Sequence, residues 1–79
     1  MPFQPELLDE LNMITRFDPA SLQEGLKVHS SASPEVVAAT QRLFSKGLIT
    51  QADGGYLTDL GHEAANHAQS ILSILKPPA

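Results

Sequence analysis

Apolar residues recur along this chain at spacings that change from segment to segment. Leu7, Leu8, Leu11 and Ile14 fall on one side at helical spacing. Pro5 and Glu6 precede them, a proline at the first helical position and an acid suited to the positive end of the helix dipole, so a helix is predicted over 5–14. Asp18-Pro19 repeats the start signal, and Leu22 and Leu26 then stand four apart, which predicts a second helix over 19–28. Gly25 weakens that helix by up to about 1 kcal/mol relative to alanine. The small polar run His29-Ser30-Ser31-Ala32-Ser33 has no period and reads as a turn, with Ser33 capping the next helix.

From Pro34 the apolar positions are Val36, Val37, Leu43 and Phe44, and Lys46-Gly47 supplies a last-turn cation and a left-handed cap, predicting a third helix over 34–46. Leu48-Ile49-Thr50 and Tyr56-Leu57-Thr58 have strand character on either side of Asp53-Gly54-Gly55, so a β-hairpin is expected over 48–58, its tip made by the glycines. A lone hairpin is marginal in water and must lie on the helices. The last helix opens at Thr58 or Asp59 and runs over 59–75, ending before Pro77-Pro78. The expected core draws on Leu7, Leu11, Leu22, Leu26, Val36, Leu43, Phe44, Ile49, Leu57, Leu60 and Ile71.

Composition narrows the class. Leu, Ile, Val and Phe make up 21 of the 79 residues, above the floor of about 20% below which chains stay disordered. The chain is expected to fold as a single domain over 1–79, mostly α with a small β-hairpin in the order α-α-α-β-β-α. A domain this size buries only about 60% of its unfolded surface, too little to enclose a deep pocket, which argues against a self-contained enzyme. Cysteine is absent, removing disulfides and thiolate chemistry. Glu6, Asp9 and Glu10 interrupt the start where a secretory segment needs positive charge and an apolar run, and no apolar stretch of membrane length occurs, so a soluble cytoplasmic protein is expected.

The order of elements, with Leu43-Phe44-Ser45-Lys46-Gly47-Leu48-Ile49, then Asp53-Gly54-Gly55-Tyr56-Leu57-Thr58, then Gly61, resembles a winged helix-turn-helix domain of the MarR and PadR kinds. Nearly the whole chain also looks similar to a small bacterial family whose members are often labelled DNA-binding proteins. The resemblance implies a transcriptional regulator that binds double-stranded DNA with helix 34–46. The exposed side of that helix, at about 100° per residue, carries Glu35, Ala38, Gln41, Arg42, Ser45 and Lys46. On the family's pattern, Arg42 would contact guanine and Gln41 adenine, Ser33 and Lys46 would hold phosphates, and Ser45 would lie beside them.

Charge pulls the other way. The net charge is −4, with five Lys and Arg against nine Asp and Glu, and the wing tip carries Asp53 where winged binders commonly place a cation. Phosphate neutralisation dominates DNA affinity, so a tight monomeric binder is not expected, whereas a dimer presenting two copies of Arg42 and Lys46 remains open. The rival reading is a protein-interaction module of the same fold with no DNA binding. It draws on the last helix, whose apolar arc is broader than the stripe of about 100° that a surface helix buries. Leu60, Ala64, Ala68, Ile71, Leu72 and Leu75 are the candidate residues for a homodimer or another protein partner.

His62 and His67 are five apart on that helix, the wrong spacing for two zinc ligands, and Glu63 with His67 form an i, i+4 surface pair instead. No nucleophile elbow or glycine-rich phosphate loop is present. No metal, cofactor or catalytic activity is expected.

Overall fold

The structure, a computed structural model, describes residues 2–17 and 25–76. Helix α1 spans Pro5–Ile14, strand β1 Leu26–Lys27, helix α2 Pro34–Ser45, strand β2 Ile49–Gln51, strand β3 Gly54–Leu57 and helix α3 Asp59–Leu75. The protein is mostly helical, with a small antiparallel sheet in the order β1-β3-β2. α1 and α3 keep the predicted bounds, and α2 stops one residue short of Lys46.

The largest departure is at the predicted second helix. Its first part, including Leu22, lies outside the described residues, but its end is extended and Leu26–Lys27 form β1. Leu26 and Val28 are half-buried against the core while Lys27 between them is exposed, the two-residue period of a strand. The reason lies nearly 30 residues along the chain. A Cβ on Gly54 would stand 2.1 Å from the Leu26 carbonyl oxygen, so only a glycine lets the β3 backbone approach this closely. Leu26 then pairs with Gly55 and Lys27 with Gly54, and the Val28 N–H donates to the Asp53 oxygen at 2.7 Å. The two glycines therefore belong to β3 rather than to the tip, which is Ala52–Asp53. The polar turn His29–Ser33 accordingly joins a strand to a helix, so among the described residues the element order is α-β-α-β-β-α.

Local signals hold the junctions. Gly47, at φ +80°, ends α2: its N–H donates to Phe44 O at 3.0 Å and the Leu48 N–H to Leu43 O at 2.9 Å, closing the last turn. Thr58 caps α3, accepting from the Gly61 N–H at 3.0 Å and donating to Gly47 O at 2.6 Å, which ties the start of α3 to the end of α2.

The core gathers Met13 and Ile14 of α1, Phe17 after it, Ala39 and Leu43 of α2, Ile49 of β2, and Ala65 and Ala68 of α3. Leu11, Val36, Leu48 and Leu57 pack on its margin. Four expected core residues stand outside it: Leu7 is half-buried away from the cluster, and Phe44, Leu60 and Ile71 are exposed. The inward face of α2 is instead Ala39, Thr40 and Leu43, and that of α3 is Gly61, Ala65 and Ala68.

Candidate functional site

α2 lies between α1 on one side and the sheet on the other, so its candidate DNA-contacting side chains fall into different surroundings. Glu10 of α1 shares a helical face with Leu7 and Ile14 and is only 5% exposed. Its carboxylate receives Arg42 Nε at 2.9 Å on Oε2 and Lys46 Nζ on Oε1. Arg42 spends a second donor on the Glu6 backbone oxygen at 3.1 Å. Burial pushes the Glu10 carboxyl pKa up, but the hydrogen bonds from Lys46 and Arg42 and their positive charges outweigh it, holding the group below the usual glutamate value. The two cations expected to face DNA are committed to one carboxylate of the same molecule.

The other three expected DNA contacts separate as well. Ser33 caps α2, its Oγ accepting from the Val36 N–H at 3.4 Å. Ser45 is exposed on the last turn. Gln41 is exposed on the opposite flank from Glu10, where it lines an open groove of about 450 Å³ with Lys27, Val28, His29, Ala52 and Asp53. Along the α1 side, Glu6, Asp9 and Glu35 line a cleft with Arg42, Pro5, Pro34 and Ala38. Carboxylates thus stand on both flanks of α2, beside Arg42 on one and Lys27 on the other.

The candidate partner residues of α3 divide along its length. Gly61, Ala65 and Ala68 form one stripe at helical spacing and are buried, and Ala64 beside them packs on the core. Gln69 Nε2 reaches the carbonyl of Thr15, the residue that caps the end of α1, at 3.2 Å. Beyond it the same stripe continues as Leu72 and Leu75, 43% and 73% exposed, with Ile71 and Ile74 exposed beside them. Leu60 is exposed at the other end of the helix. His67 Nε2 lies 3.9 Å from Glu63 Oε1 on the outer surface, the i, i+4 contact expected. Among the described residues no group of three metal-ligating side chains occurs, and no helix is long and apolar enough to cross a membrane.

The role of Glu10 is the feature that sequence reasoning did not anticipate. Its signal is the placement of a carboxylate on the apolar side of α1, three residues after Leu7 and four before Ile14. These features define a small mostly helical protein with a three-stranded antiparallel sheet. The chain belongs to the family of unknown function DUF5669, which matches it over residues 1–76. No curated protein and no solved structure matches it.

Proposed function

We propose that this protein is a non-catalytic protein-interaction module of winged-helix-like layout that docks through the C-terminal end of α3. The observation that carries the reading is the run Ile71, Leu72, Ile74 and Leu75, four large apolar side chains exposed within five consecutive residues. Scattered exposed leucines are ordinary, but a contiguous apolar patch is the mark of an interaction site. The test compares an apolar fluorescent dye on the native protein and on an Ile74→Gln, Leu75→Gln variant at high dilution. Dye binding to the native protein that the variant loses supports the reading, and equal binding to both removes it.

A second reading is a DNA-binding regulator that uses α2. It is favoured by Gln41, which stands open beside Lys27 and His29 next to the turn between β2 and β3. Its weakness is electrostatic, because Arg42 and Lys46 already pair with Glu10, leaving Arg16, Lys27 and Lys76 as the other cations. Amide shifts at Lys27, His29 and Gln41 on adding duplex DNA, weakening steeply with salt, would establish this reading. Unchanged spectra at low salt would exclude it.

A further inference from the structure

Resting on the apolar end of α3 as a docking surface, we infer that its occupant is a second copy of this chain, the two helix ends packing around a two-fold axis. The stripe that α3 buries in its own molecule, Gly61, Ala65 and Ala68, runs on without a break into Leu72 and Leu75, which project beyond it. The end of α3 is therefore a core-type surface whose opposing layer is not supplied by the described part of the chain.

Charge bears on the choice of partner. From Ala68 to Leu75 there is no titratable side chain, while all nine carboxylates lie between Glu6 and Glu63. Two copies, each of net charge −4, repel one another wherever their acidic surfaces meet. At the end of α3 they meet through side chains that carry no charge of their own, so apolar contact there is not opposed by a carboxylate of the patch. Within the patch no side chain carries charge, Lys76 standing just beyond it, so apolar contact rather than charge pairing selects the partner, and like against like satisfies it on both sides.

The size of the core gives a second reason. Among the described residues five large apolar side chains are buried, Met13, Ile14, Phe17, Leu43 and Ile49, and nine are exposed. Chains of this size commonly supplement a small core with disulfides, metals or oligomerisation, and this one has no cysteine. A standard interface takes about 800 Å² from each partner, about a seventh of the 5568 Å² surface here. Two helical turns supply less than that, which places the association in the weak, concentration-dependent class.

Sedimentation equilibrium of the full chain, from micromolar to millimolar concentration, tests the dimer beside the Ile74→Gln, Leu75→Gln variant. Both substituted side chains are exposed, so the monomer fold tolerates the change. The expected result is a reversible rise to twice the monomer mass, with the variant about tenfold or more weaker, as loss of buried apolar area requires. A native monomer at every concentration overturns the dimer, and so does a dimer the variant forms equally well. In the monomer case the dye separates the two claims: variant-sensitive dye binding leaves the docking surface standing for a different protein, and its absence shows the end of α3 covered from within the chain, so that both claims fall.

Discussion

Arg42 and Glu10, 32 positions apart in the chain, meet through a 2.9 Å bond from the guanidinium Nε to the carboxylate, and Lys46 takes the other oxygen. The face of α2 that resembles a DNA-reading surface is thereby part of the seam between α1 and α2. The carboxylate is buried, whereas the side chains of Arg42 and Lys46 retain 34% and 52% exposure. The two sides of the cluster should therefore respond unequally to mutation. Removing both cations strands a buried charge, and Arg42→Ala with Lys46→Ala should cost about 3 kcal/mol. Glu10→Met leaves two cations that water can reach and a carbon chain of similar volume in place of the carboxylate, and should stay within about 1 kcal/mol of the native protein. Urea denaturation of the two variants measures the difference.

Acid should weaken the fold through the same group. Glu10 titrates below its unfolded value, so the unfolded chain binds the proton more readily. The stabilisation is complete above the unfolded glutamate pKa of about 4.3 and is lost as pH falls through the lower folded value. Stability should thus fall with decreasing pH below that point. In Glu10→Gln the part of this slope due to Glu10 should be missing, which urea midpoints measured at stepwise lower pH would show.

How much of this was legible in the sequence depended on whether the signal was local. Pro5 and Thr58 mark the starts of α1 and α3, and Gly47 marks the end of α2, because caps and left-handed turns are properties of a few adjacent residues. β1 was not legible. Leu22 and Leu26 satisfy a helical spacing, and only the distant Gly54-Gly55 pair makes Leu26–Lys27 a strand by exposing a backbone edge to it. The pairing of Arg42 and Lys46 was illegible for the same reason: α2 alone shows two exposed cations, and their partner Glu10 belongs to α1.

Two glycines that both sit at helix ends should differ in tolerance. A Cβ on Gly61 would lie 1.9 Å from the Leu48 carbonyl oxygen, a backbone atom, so Gly61→Ala must push α3 off the β2 side of the molecule. Its expected effect is loss of cooperative unfolding or a cost well above the usual single-mutant value of about 1 kcal/mol. A Cβ on Gly47 would meet nothing within 4 Å, and only its φ of +80° penalises a side chain. Gly47→Ala should therefore cost about 1–2 kcal/mol and leave the transition cooperative. Thermal unfolding followed by circular dichroism distinguishes the two cases.

Leu43 and Phe44 offer the sharpest contrast, because they are adjacent, both apolar, and equally plausible as core residues from spacing alone. Leu43 is among the largest fully buried side chains, while Phe44 keeps 45% of its surface in water. Leu43→Ala removes a side chain from the core that α2 shares with Ile49 and Met13 and opens a cavity there, and should cost about 2–5 kcal/mol. Phe44→Ala opens no comparable void. Its ring has already kept much of its contact with solvent, so the expected cost is about 1 kcal/mol, well short of the about 3–5 kcal/mol of a buried phenylalanine. Paired urea melts decide the matter: a Phe44→Ala loss as large as that of Leu43→Ala would mean that the ring is covered in solution by something other than the core described here.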